Sequence, residues 1–240
     1  MILRHNVNRR PQLTFTSDFH ELVVGDLKPG PCVLRYDPLR IVPCDELHGG
    51  NHRIAAHVRF HPTGGEWHGD MIAPASAPYE QLADPMGDGY MLRTTFDIPP
   101  GCVELEVWFS CTHADGASHY DSEMGQNYWL RFGLKDLDIK QAKIAVATAA
   151  AATDALDVQI DSVPAVERLS IRWRLANRPS FPRTVSDLVG AATAAGSKTW
   201  STAPGGIAIP KAATVLFDVV YYVSGRKYTD DNQGNWYLAN

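Results

Sequence analysis

HYDSEMGQNYWLRF, residues 119–132, is the stretch from which the rest of the chain can be read. It sets Tyr120, Tyr128 and Trp129 around Asp121, Gln126 and Asn127, with Gly125 supplying a turn. Aromatic rings offer stacking faces and amides offer paired donors and acceptors, a combination suited to a shallow, wet site for a polar ligand. A second version, RKYTDDNQGNWYLAN, occupies residues 226–240. Laid over the first without gaps, Tyr228 falls on Tyr120, Asn235 on Asn127, Trp236 on Tyr128, Tyr237 on Trp129 and Leu238 on Leu130. The chain therefore reads as two copies of one design.

Further pairings extend outward from these stretches. Ala56, Val58 and Phe60 alternate with polar residues, and Ile171-Arg172-Trp173-Arg174 lies over Val58-Arg59-Phe60-His61. Val103, Leu105, Val107 and Phe109 alternate with Glu104, Glu106 and Trp108, and Val215 to Val223 repeats the pattern with Asp218 on Glu106. Alternation of this kind marks half-buried strands. Both strands follow an Ile-Pro pair, Ile98-Pro99 and Ile209-Pro210. Shorter β-like runs occur at Leu13 to Thr16, Leu22 to Val24, Cys32 to Tyr36, Arg40 to Val42 and Tyr90 to Asp97, separated by Pro/Gly turn signals. The sequence predicts an all-β protein of two antiparallel immunoglobulin-like β-sandwich modules, residues 1–140 and 156–240; a single fused sandwich is the alternative. The alanine-rich residues 141–155 are expected to be a linker or short helix between them. Residues 189–206 are expected to be a long flexible loop.

Tyr120-Asp121-Ser122-Glu123-Met124-Gly125-Gln126-Asn127-Tyr128 resembles the late WDNNxGxNY-like motif of starch- and glycogen-binding modules. It keeps that motif's Asp, Gly, Asn and final aromatic; Tyr120 stands for the leading Trp, and Ser122 to Met124 replace the asparagine run. The second copy keeps Asn232, Gly234, Asn235 and Trp236, with Thr229 at the Asp position and its Gly one place late. The resemblance implies a sandwich that binds an α-glucan-like glycan without catalysis.

Composition narrows the partners. The 240 residues carry a net charge of −5, with 20% charged and 45% hydrophobic residues. That balance argues against nucleic acid or an anionic membrane as the main partner, and no apolar run is long enough to span a bilayer. The first residues lack a continuous apolar segment of the secretory type, so a cytoplasmic location is expected. The four cysteines, Cys32, Cys44, Cys102 and Cys111, include no C-x-x-C pair. Cys102 and Cys111 bracket a strand that holds them about 30 Å apart, so reduced, buried thiols are expected.

The expected ligand contacts are Tyr120, Asp121, Asn127 and Tyr128, assisted by Trp67 from a Gly-rich loop, with Tyr228, Asn235 and Trp236 in the second copy. Each has a structural alternative: the carboxylate and amides bonding their own turn and the rings completing the core. Tyr128 and Trp129 must point to opposite faces of a strand, so one of them belongs to the core. No cofactor and no metal are expected. The carboxylates at Asp121 to Glu123 and Asp230 to Asn232 match no calcium loop. His57 and His61, among the cluster that also includes His48, His52 and His68, lie about 13 Å apart along one strand. No triad, phosphate loop or nucleophile elbow is legible, so catalytic residues are unassigned. The rival readings are an enzyme with a pocket built into a β-sandwich, using Asp121, Glu123 or a His as acid or base, and a protein-interaction module.

Overall fold

The structure, a computed structural model, describes residues 10–42, 52–72, 91–132, 135–148, 150–194 and 196–239. It is all-β: among the described residues no α-helix occurs, and four mostly antiparallel sheets form, none closed into a barrel. The chain divides into two compact units, Met1–Gly133 and Leu134–Asn240. Cys44, His48 and Tyr90 lie outside the described residues.

In the N-terminal unit one sheet runs β2 (Glu21–Val24), β1 (Gln12–Phe15), β3 (Gly30–Tyr36), β6 (Leu92–Ile98), with β1 and β3 parallel. The other runs β5 (Glu66–Asp70), β4 (Arg53–His61), β7 (Glu104–Thr112), β8 (Ser118–Asp121), and β9 (Tyr128–Arg131) also pairs with β7. The alternation predicted for β4 is seen: Ile54, Ala56, Val58 and Phe60 are buried while their neighbours are not. In β7, Leu105, Val107 and Phe109 are fully buried, whereas Val103 precedes the strand and is exposed. One apolar cluster draws on both sheets, with Phe109 against Tyr36 at 3.9 Å and Phe15 at 4.8 Å between ring centroids. Side chains of this size each contribute about 1.5–3 kcal/mol on burial, so this cluster holds together the strands that supply it, β1, β3, β4, β6, β7 and β9 among them.

The expected strand at Arg40 is instead a 3-10 turn, Pro38–Arg40. Pro38 fixes the backbone at its first position, and the Asp37 side chain accepts the Leu39 N–H at 3.0 Å. Proline entry and an Asp cap both favour a helical turn over a strand.

In the C-terminal unit one sheet runs β13 (Thr184–Asp187), β12 (Val166–Leu175), β17 (Val215–Val223), β18 (Arg226–Asp230), with β19 (Tyr237–Leu238) also on β17. This is the strand order of the sheet containing β4 and β7. The other runs β10 (Leu137–Ala145), β11 (Thr153–Ser162), β15 (Lys198–Ser201), β14 (Val189–Ala192), and β16 (Ile207–Pro210) pairs with β11.

Two expectations are corrected in this unit. The alanine-rich residues 141–155 are not a linker or helix between modules: Gln141 to Ala145 complete β10 and Thr153 to Ala155 open β11. The two strands pair from Leu137↔Ser162 to Ala145↔Ala155, and that long ladder outweighs the helical preference of alanine. Residues 189–206 are likewise not a flexible loop but contain the β14–β15 hairpin. Gly190 lets the Trp200 ring lie on the backbone, where a Cβ would come within 2.7 Å of it.

Candidate functional site

β8 and β9 lie end to end along one edge of β7, interrupted by the turn at residues 122–127, and the side chains from Ser118 to Arg131 divide between two sides of the sheet. On the inner side the Asp121 carboxylate is the hub of a buried polar cluster. Arg40 Nε donates to Asp121 Oδ2 at 2.7 Å and the Tyr36 hydroxyl donates to the same oxygen at 2.9 Å. The Tyr128 hydroxyl donates to Asp121 Oδ1 and accepts from Arg40 Nη2 at 2.8 Å. Arg40 Nη1 donates to the Thr16 carbonyl at 2.9 Å. Burial and the adjacent Asp121 charge push both the Tyr36 and Tyr128 hydroxyls above the ordinary phenol range, so both stay protonated donors.

Asp121 and Tyr128 are thus 7% and 6% exposed and engaged with the framework, not open to a ligand. Asp121 does not bond its own turn, the structural alternative read from the sequence; its partners come from β3, the Pro38–Arg40 turn and Tyr128 of β9. Nothing in the local sequence marks Arg40 as that partner, because the contact spans 81 residues.

The outer side is different. Strand pairing opposes His57 to both Trp108 and His68, Arg59 to both Glu106 and Glu66, Glu106 to Trp129, and Ser110 to Tyr120. Opposed residues share a face, so these side chains form one outward surface. Tyr120 is 65% exposed, and Trp108 and Trp129 are half-buried. The His57 ring lies parallel to Trp108 at 5.2 Å, and His61 packs on Trp129 at 5.1 Å.

Glu106 is at the centre. Its carboxylate accepts from Asn127 Nδ2 at 2.7 Å and from Arg59 Nη1 at 3.1 Å, and His61 Nε2 is 3.0 Å away. Burial alone would raise this carboxyl, but the bonds from Asn127 and His61 and the Arg59 charge hold it below its ordinary value. Burial and the neighbouring His68 lower His57, whose Nε2 is 2.8 Å from Ser110 Oγ. The surface therefore joins three aromatic rings to a fixed anion and several donors. Among the described residues no group of three His, Cys, Asp or Glu side chains could hold a metal ion.

Of the predicted contacts, only Tyr120 and Asn127 belong to this outer surface. Trp67 is on the core side, 5.4 Å from Phe96 and over Gly69. Tyr228 is buried and stacks on Tyr221 at 5.4 Å. Trp236 is buried beneath Arg174 and Arg183, 4.4 and 4.6 Å from its ring centre. Asn235 is exposed and donates to the Asn232 carbonyl within its own turn. The residues missed from the sequence are Trp108, Glu106 and Arg59, while His57 and His61 figure there only as candidate metal ligands; the outward positions of the alternating strands were the available signal for all five.

The two turns, between β8 and β9 and between β18 and β19, share a backbone conformation, though one residue away from the gapless overlay. Positive φ occurs at Glu123, Met124, Gly125 and Asn127 in one, and at Asn232, Gln233, Gly234 and Trp236 in the other. This correspondence matches Asp121 with Asp230 and Tyr128 with Tyr237, and the Tyr237 hydroxyl donates to Asp230 at 2.9 Å as Tyr128 does to Asp121. Burial raises the Asp230 carboxyl, with the Asp218 charge adding to it and the Asn232 N–H and Tyr237 bonds opposing it.

None of the curated proteins compared with the chain matches it. One family model does, over residues 2–133, which is more than half of the chain and takes in β1 to β9. The chain thus belongs to DUF6209, a family of unknown function.

Proposed function

We propose that the outer face of the β5-β4-β7-β8 sheet, with β9, recognises a neutral glycan of the α-glucan type without catalysing a reaction on it. The carrying observation is that Trp108, Trp129 and Tyr120 share one outward sheet face, with Trp129 opposed to Glu106 and Tyr120 to Ser110. Sugar rings stack their C–H faces on aromatic side chains, while the hydroxyls need acceptors and donors at the ring edge. Glu106 is itself only 6% exposed and holds Arg59, His61 and Asn127 in place, and those three side chains supply the polar atoms at the surface. Asp121 and Tyr128 serve this reading as the framework that holds the β8–β9 segment, not as ligand contacts.

We further propose that each unit is an immunoglobulin-like sandwich and that the two are copies of one design. The shared strand order, the matched left-handed turns and the two Asp–Tyr bonds support this. In the C-terminal copy Arg174 and Arg183 cover Trp236, so the glycan-binding role is assigned to the N-terminal unit.

Co-sedimentation with insoluble starch and glycogen tests the binding. Wild-type protein is expected in the pellet, and folded Trp108→Ala protein in the supernatant. Wild-type protein left wholly in the supernatant of both would refute the glycan reading.

A further inference from the structure

We propose that β14 is the interface of a homodimer, joined edge to edge with β14 of a second copy about a two-fold axis at Ala191. β14 ends its sheet, pairs with β15 on one side, and all four of its residues are exposed, Val189 at 59%. Open sheet edges are ordinarily protected by charge, proline or a bulge. Among the described strands with a single partner, β14 and the two-residue β19 are the ones with neither a charged side chain nor a proline. The opposite edge of the same sheet has Lys140, Lys143 and a register shift between Ile139 and Gln141. Residues 188–197 contain neither charge nor proline.

The register shows why a second copy fits. The Thr193 N–H donates to the Ser197 carbonyl at 2.8 Å, which makes residues 193 and 197 a hydrogen-bonded pair. Hydrogen-bonded and non-bonded pairs alternate along an antiparallel ladder. Ala191↔Thr199 and Val189↔Ser201 are then the bonded pairs, and Gly190 and Ala192 turn their N–H and C=O groups to the open side. Antiparallel pairing of two such edges sets Gly190 of each copy against Ala192 of the other and centres Ala191 on itself. The arrangement is self-complementary, as an isologous interface requires. Small side chains at the axis and the absence of charge leave no like-charge opposition.

Sedimentation velocity over a concentration series, with two variants, tests this. Wild type is expected to convert from monomer to dimer as concentration rises. Ala192→Pro removes an outward N–H without touching the bonds to β15, and is expected to remain monomeric with an unchanged circular dichroism spectrum. Ala191→Cys places two thiols across a non-bonded pair with Cα atoms about 4.5 Å apart, within disulfide range. Mild oxidation is expected to give a crosslinked dimer absent from identically treated wild type. A wild type that stays monomeric throughout overturns the proposal. So does a dimer whose Ala191→Cys form fails to crosslink, since the interface then lies elsewhere; this second arm stands even if Ala192→Pro does not fold.

Discussion

Arg40 Nε and Asp121 Oδ2 meet at 2.7 Å inside the N-terminal unit, joining the Pro38–Arg40 turn to the end of β8. Both side chains are buried, and Tyr36 and Tyr128 take up further bonding capacity around them. Removing one member of a buried pair leaves the other charged in a poor solvent, a cost of about 3–5 kcal/mol. Asp121→Ala is therefore expected to shift the unfolding transition of this unit in a urea titration by that amount. A loss below about 1 kcal/mol would mean that the carboxylate behaves as a surface group.

Tyr128 and Trp129 are adjacent but serve opposite sides of β9, and their variants should separate stability from binding. Tyr128→Phe removes the hydroxyl between Asp121 and Arg40 and is expected to cost about 1–3 kcal/mol while leaving glycan affinity unchanged. Trp129→Ala is expected to weaken binding at least tenfold, with the greater part of the stability retained. Isothermal titration and thermal melts on the same preparations check both.

Gly125 and Gly234 hold φ of 86° and 80° in equivalent turns. A Cβ in the left-handed region costs about 1–2 kcal/mol, so Gly125→Ala and Gly234→Ala should destabilise their units by similar amounts. Differential scanning calorimetry would read this directly. A marked cost at one position and none at the other would break the equivalence of the two turns.

The Glu106 carboxyl lies below its ordinary value, held there by Asn127, His61 and Arg59 against the effect of burial. Asp18 is lowered to about 2; burial opposes the shift, and the His20 and Thr16 bonds outweigh it. A carboxyl depressed in the folded state contributes stability above its unfolded pKa and loses it as pH falls through the folded one. For Asp18 the loss falls between its reference value of 3.8 and about 2. Asp230 has the opposite sign: its raised carboxyl opposes folding at neutral pH, and that penalty disappears as pH falls below its unfolded value. Urea midpoints measured between pH 7 and 2 should therefore drop less steeply in Glu106→Gln protein than in wild type.

The strands that carry long alternations were legible in the sequence because each has one face against a core: β4 and β7 around Val58 and Val107, β12 and β17 around Ile171 and Val219. Local composition misled where long-range pairing decides the outcome. Ala142 and Ala145 sit in a strand because β11 lies alongside, and Gly190 does so because Trp200 covers it. The candidate site was half legible. The stretch that organises it was identified with Tyr120 and Asn127, but its two strand segments lie end to end on β7 and two of its polar residues turn inward to Arg40, a partner distant in sequence. Trp108 and Glu106 sat in plain view on the outward phase of β7, yet only the register of β7 with β4, β8 and β9 assembles them into a surface.

The most direct test of the glycan reading is a tryptophan-fluorescence titration of the folded protein with cyclodextrin and linear maltooligosaccharides, run beside Trp108→Ala and Tyr128→Phe. The expected result is a saturable change in wild type and Tyr128→Phe that is abolished in Trp108→Ala. Unchanged binding in Trp108→Ala, or no response of well-folded wild type to any of these glucans, would contradict a ligand site on the outer face of β7.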